Sequence, residues 1–159
     1  KMRPRTFGLR VKENGATEGF TLYSPLWRPK TFLLNMKGEV VHEWDLPSNP
    51  GGYSRLLQNG NLFYSAYTEG GPPFKGGAAG GLMREVDWDG NVIMEYRDDW
   101  QHHDCRRLDN GNILLLDNGN GRPFEEGGPY SRIIELAIDT VAMTASKVWE
   151  YTRPPIFAP

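Results

Sequence analysis

The sequence is poor in cysteine, in long apolar runs, in helical periodicity and in charge of one sign. A single cysteine, Cys105, in 159 residues excludes an internal disulfide framework and leaves the redox compartment open. No apolar run approaches the roughly 18 residues that a membrane-spanning helix needs. Eighteen Lys and Arg stand against 20 Asp and Glu, interspersed, for a net charge of −2. That balance lacks the footprint of a nucleic-acid binder or a polybasic membrane anchor. A period of 3.6 is not sustained anywhere, apart from a short turn expected near 140–145. There is no secretory h-region, and the chain opens on Lys1 rather than Met, which reads as a processed or partial chain. What is plentiful is punctuation and aromatic bulk. Nineteen Gly, 12 Pro, five Trp, seven Tyr and seven Phe describe a turn-rich all-β protein.

Residues 1–19 read as a polar N-terminal arm. Strand-like runs follow at 20–24, 31–35, 39–44, 53–57, 62–67, 82–87, 92–96, 103–108, 113–117, 132–138 and 147–151, separated by Gly, Pro and Asn-Gly corners. These runs repeat. Leu57-Gln-Asn-Gly-Asn61 returns as Leu108-Asp-Asn-Gly-Asn112, 51 residues on. Gly38-Glu-Val-Val-His-Glu-Trp44 returns as Gly90-Asn-Val-Ile-Met-Glu-Tyr96, 52 residues on, and Glu150 lies 55 residues after Glu95. A period near 50 suits a four-stranded blade with one long loop, the unit of a β-propeller. Consecutive apolar residues such as Phe32-Leu33-Leu34 and Ile113 to Leu116 fit sheets covered on both faces. The competing architecture is a β-sandwich. The propeller reading divides the chain into a partial blade at 20–52, blades at 53–100 and 101–151, and a tail at 152–159. About three blades make an incomplete ring, since closure takes at least four.

The chemistry-bearing residues crowd into Trp100–Arg122. His102 and His103, followed by Asp104, stand where a blade's first strand begins, and such strands line the central channel. An imidazole there can act as base or nucleophile; the plainer reading is a histidine bonded to a neighbouring blade's backbone. Arg106, Arg107, Arg122 and Arg132 surround the pair, and a guanidinium fork suits an oxyester such as a sulfate or phosphate ester. Inter-blade ion pairs would account for the same arginines. Zinc fits poorly, because a strand cannot aim the consecutive His102, His103, Asp104 and Cys105 at one ion. His42 sits inside a repeated strand and reads as structural. The run 117–121 and the acids downstream of it miss the alternate positions of a calcium loop, and the glycine-rich 69–81 lacks the order of a phosphate cradle. No metal and no cofactor is therefore expected.

GFTLYSP (19–25), TFLLNMKGEVVHEW (31–44), LLQNGNLFYS (56–65), GLMREVDWDGNVIMEY (81–96), QHHDCRRLDNGNILLLDNG (101–119) and YSRIIELAID (130–139) together resemble the arylsulfotransferase (aryl-sulfate sulfotransferase) family. The resemblance covers almost all of 19–159. It implies a six-bladed β-propeller that moves a sulfuryl group from one phenolic ester to another phenol through a sulfohistidine, with no nucleotide donor. In this sequence it implies His103 as nucleophile, with His102, Arg106 and Arg107 as donors. The implied partner is an aryl sulfate or phenolic small molecule, with no nucleic acid and no membrane span, and the ring is completed by a homo-oligomer or by the remainder of the same chain. A periplasmic or extracellular address is implied as well. Two elements of the family's site, His-x-Asn and Ser-Arg-His, are absent here. The alternative function is a non-catalytic propeller used for binding or assembly.

Overall fold

Short β-branched and aromatic runs between glycine corners can form only meanders, and that is what the computed structural model contains. It describes residues 9–66, 81–97, 102–119, 122 and 124–153, with His102, His103 and Glu126 described by their backbone. Eleven strands form three antiparallel sheets. The first holds β1 (Thr21–Tyr23), β2 (Lys30–Leu34) and β3 (Val40–Asp45). The second holds β4 (Pro50–Leu56), β5 (Leu62–Ala66), β6 (Leu82–Val86) and β7 (Val92–Arg97). The third holds β8 (His102–Arg107), β9 (Ile113–Asp117), β10 (Arg132–Asp139) and β11 (Thr144–Tyr151). In each sheet the strands lie side by side in chain order. The described chain is all-β, three antiparallel meander sheets of three, four and four strands, the pattern expected of successive blades.

The corners explain the register. At the β4–β5 corner Leu57 N–H donates to Asn61 O (2.8 Å) and Gly60 N–H to Leu57 O (3.0 Å). The β8–β9 corner makes the same bonds between Leu108 and Asn112 (2.8 Å) and between Gly111 and Leu108 (2.9 Å). Gly60 and Gly111 take φ of 88° and 86°, the left-handed conformation that glycine adopts without a Cβ clash. Side chains then lock each corner to the third strand. Asn61 Nδ2 donates to Glu85 Oε1 (2.7 Å), and Asn112 Nδ2 to Glu135 Oε1 (2.6 Å). The β2–β3 corner (Asn35 N–H to Glu39 O, 3.0 Å) is bonded like the β6–β7 corner (Asp87 N–H to Asn91 O, 2.9 Å). β2–β3 is thus the counterpart of β6–β7, and among the described residues the first sheet has no counterpart of β4.

The second sheet carries the packing. Every residue of β5 and β6 is buried. Leu62, Tyr64, Ala66, Leu82 and Val86 meet Leu33, Trp44 and Leu46 of the first sheet's side. Phe63 and Met83 point the other way, into Cys105, Ile113, Leu115, Ile134 and Leu136 of the third sheet. Two-sided burial is why these strands lack a polar face. An aromatic bridge ties β3 to the β6–β7 corner of the second sheet. His42 stacks on Trp88 (centroids 3.8 Å) and Trp44 Nε1 donates to Asp87 O (3.0 Å), so His42 is structural, as its place in a repeated strand suggests.

Most strand bounds fall within a residue or so of the sequence expectation, and two starts differ by three residues. β4 begins at Pro50 rather than 53, with an irregularity in register between Pro50 and Ser54 that admits Gly51 and Gly52. The helical turn expected at 140–145 is a hairpin corner instead, and β11 starts at Thr144. Asp139 Oδ1 accepts from the backbone of Val141 (2.9 Å) and Ala142 (2.8 Å), which folds the chain straight back.

Those bonds carry a pH dependence. The N–H groups of Ala142 and Val141 hold the Asp139 carboxyl below its ordinary 3.8, and Asn91 does the same for Asp87. A lowered folded-state value means stability that is present above pH 4 and lost as the pH falls through the folded values. Acid titration of the Asp87→Asn, Asp139→Asn double variant should show a shallower stability loss below pH 4 than the parent; an identical acid limb would remove the corners from the account.

Candidate functional site

β8 begins at the histidine pair, and its register against β9 places His102 opposite Asp117 and His103 opposite Leu116. The ladder then slips. Arg106 pairs with Leu114 and Arg107 with Ile113, so Asp104 and Cys105 share one opposing residue, Leu115. Asp104 takes φ of 47°, the left-handed region in which aspartate is tolerated better than most residues. This bulge changes what the strand presents. One extra residue inverts the side-chain alternation beyond it, which turns Cys105 into the core beside Ile113 and Leu115 and leaves Asp104 exposed. There Asp104 receives a long contact from Arg106 Nη2 (3.4 Å).

At the same end of the third sheet, β9 finishes on a buried carboxylate. Asp117 is 0% exposed and accepts from Arg122 Nη2 (2.5 Å), Arg132 Nε (2.7 Å) and the Gly119 N–H (2.7 Å). Arg122 also donates to the carbonyls of Gly128 (3.3 Å) and Tyr130 (3.1 Å) and lies over the Tyr130 ring, 4.3 Å from its centroid. Burial opposes the charge on Arg132, but its bonds to Asp117 outweigh this and raise its pKa. Arg132 reaches on to Glu150 Oε2 (3.5 Å). The network staples the loop after β9, the start of β10 and β11 to the strand end that faces the histidines. Arg122 and Arg132 are therefore held by a carboxylate.

Arg106 and Arg107 close the other end of β8: across the bulge His103 and Arg106 face β9 residues two apart, about 7 Å along the sheet, and His102 and Arg107 face residues four apart, about 13 Å. Arg107 Nη2 lies 3.9 Å from Glu85 Oε2 across the junction of the second and third sheets. The structure thus places the four sequence candidates in two groups, His102 and His103 at one end of the strand and Arg106 and Arg107 at the other. Asp117 was read from the sequence as the end of the 113–117 strand run; its role as the hub of two arginines was missed. The signal available was an acid closing an otherwise apolar strand, followed by arginines at 122 and 132. The glycine-rich stretch 69–81 lies outside the described residues except for Gly81, as do Gln101, 120–121 and the tail from 154.

Cys105 is not part of any reactive constellation. It is 0% exposed, and burial pushes its thiol up to about 12. Thiolate is the reactive form, so at pH 8 the native protein should resist a thiol reagent such as Ellman's and react only as fast as it unfolds. Stoichiometric labelling of the native protein within minutes would contradict the packing described.

Residues 82–155 match the family model described as Arylsulfotransferase (ASST). That segment contains both histidines, all four arginines and Asp117. No curated protein matches the chain. Among solved structures, a protein of unknown function from Bacteroides caccae is similar at 14% identity and a TM-score of 0.48, over 77% of this chain and 38% of that one. The chain spans well under half of that protein's length.

Proposed function

We propose that this chain, an arylsulfotransferase-family protein through residues 82–155, is part of a catalyst that moves a sulfuryl group between phenols with His103 as the carrier. In the first half-reaction an unprotonated ring nitrogen of His103 attacks sulfur of an aryl sulfate. An N–S bond forms, the S–O bond to the ring breaks, and the phenolate leaves and takes up a proton. In the second half an acceptor phenol gives up its proton as its oxygen attacks sulfur, the N–S bond breaks, and the free imidazole returns. Like phosphoryl transfer, this passes through a loose transition state, so placement in line and charge stabilisation matter more than nucleophile strength.

The observation that carries the reading is the backbone register. It sets the histidine pair at the start of β8, the edge strand of the third sheet, opposite a strand end held by Asp117 and its two arginines. A rigid supporting shell is what positions a reacting group. Of the donors named from the sequence, His102 stays beside His103 in this reading. Arg107 stands apart from it at the other end of β8, while Arg106 lies against Asp104, between the two. An aryl sulfate is the small-molecule partner, and a periplasmic or extracellular location is part of the same proposal. Incubation with 4-nitrophenyl sulfate and mass analysis of the peptide containing 101–107 is the test. A gain of one sulfuryl group on a histidine, discharged by added phenol, is expected; no adduct and no nitrophenol release would end the proposal.

A second reading, an assembly module, is favoured by the outer faces of the stack. On the third sheet Leu116, Ile133 and Tyr151 form one cross-strand row, and Trp149 and Tyr151 stack at 6.4 Å while about half exposed. On the first sheet Tyr23 lies beside Phe32 in the same way. Faces of this kind are normally covered by a neighbouring blade. Light scattering decides: a discrete oligomer supports assembly from copies, and a monodisperse monomer removes it.

A further inference from the structure

Arg107 has a place of its own. The arginine that the family resemblance would put beside the histidines instead lines a cleft of about 530 Å³ where the β4–β5 and β8–β9 corners meet. Arg55 of β4 lines the same cleft. Register explains why they converge: Arg55 pairs with Phe63 and Arg107 with Ile113, and both partners lie in the core between the second and third sheets. The two guanidinium groups therefore enter from opposite walls of that junction.

Their hydrogen-bonding is incomplete. Glu85, nearly buried, has its Oε1 occupied by Asn61 (2.7 Å) and Asn59 (3.4 Å), and offers Oε2 to Arg107 only at 3.9 Å. Arg107 Nη1 is buried with no hydrogen-bond partner, and a buried donor left unmet is costly. Arg55 has no partner among the described residues. Asp109 sits on the exposed rim and subtracts from the positive potential, as Glu85 does from within.

We propose that this cleft is a binding site for a small oxyanion, a group with at least two terminal oxygens that bridges Arg55 and the free Nη1 of Arg107. The guanidinium fork matches such a group, and the junction brings Arg55 and Arg107 to one cleft. The volume falls within the range of ordinary small-ligand pockets. The site is separate from the histidine pair, at the opposite end of β8, and stands or falls independently of sulfuryl transfer.

Calorimetric titration of the whole chain at low ionic strength with inorganic phosphate, and separately with malonate, tests it. A saturable heat with a dissociation constant on the order of a millimolar is expected for two partly solvated guanidinium contacts. Arg55→Gln, which removes a side chain with no partner and so leaves folding alone, should weaken binding about fivefold or more, as should Arg107→Gln. Asp109→Asn should tighten it, and Arg106→Gln, whose guanidinium lies with Asp104 outside the cleft, should leave it unchanged. Preference for phosphate would assign a tetrahedral ligand and preference for malonate a carboxylate. Absence of saturable heat with either probe, or parent-like binding by the Arg55→Gln variant, would overturn the site.

Discussion

His103→Ala is expected to lower sulfuryl transfer from an aryl sulfate by about 10³-fold or more, the usual scale for losing a covalent nucleophile. Folding should be nearly untouched, since His103 lies at the first turn of the strand pairing and the core begins two residues later at Cys105. His102→Ala should cost much less, roughly 10-fold, if the neighbour only donates to the developing charge. Two readouts separate chemistry from support. The His103→Ala protein should lose the sulfohistidine adduct entirely, whereas a displaced but present nucleophile would still accumulate it slowly. Added imidazole should restore part of the turnover, because it supplies the missing ring without altering the strand. Undiminished turnover in His103→Ala, with loss in His102→Ala, would move the role one residue upstream, where the register sets Asp117 opposite.

The second large effect falls on stability. Asp117→Asn is expected to destabilise the fold by about 3–5 kcal/mol, the cost of stripping one partner from a buried ion pair. Asp117 is fully buried and its Arg122 partner almost so, with side-chain exposures of 0% and 1%. Removing the carboxylate leaves two guanidinium groups facing each other with nothing between them, while an amide in its place turns a donor toward donors. Water cannot screen the result as it would a surface pair. In a domain of this size the loss should lower the melting temperature by roughly 10 °C, and it consumes a large part of an ordinary folding free energy of about 5–15 kcal/mol. Arg122→Gln in the same background should recover part of it, because the uncompensated charge goes with it. A loss below about 1 kcal/mol for Asp117→Asn would mean that the network is not closed in solution.

Much of the fold could be read from residue order. Asn59-Gly60 and Asn110-Gly111 announced the corners, and the turn chemistry that makes Asn-Gly a corner is local. Ile113 to Leu116, apolar without a gap, announced a strand covered on both sides. Thr144-Ala-Ser146 did not read as strand, because its pairing is dictated by Ala137 and Ile138 across a corner closed by Asp139, and not by its own preference. Within the candidate site the histidine pair was legible as a concentration of reactive groups. The grouping of the arginines was not.

What the residue string by itself determined is the class of the protein: strands of five or six residues, corners at fixed places and two-sided burial. All of these rest on contacts within a few positions along the chain. Only the tertiary structure decided which arginine serves which carboxylate. The bulge at Asp104 inverts the alternation of β8, sending Cys105 and Arg107 toward the second sheet, while Asp117 gathers arginines five and 15 residues away. Such choices depend on the register of strands that meet only after folding. One inserted residue exchanges the two faces of a strand, and nothing in the local composition reports it.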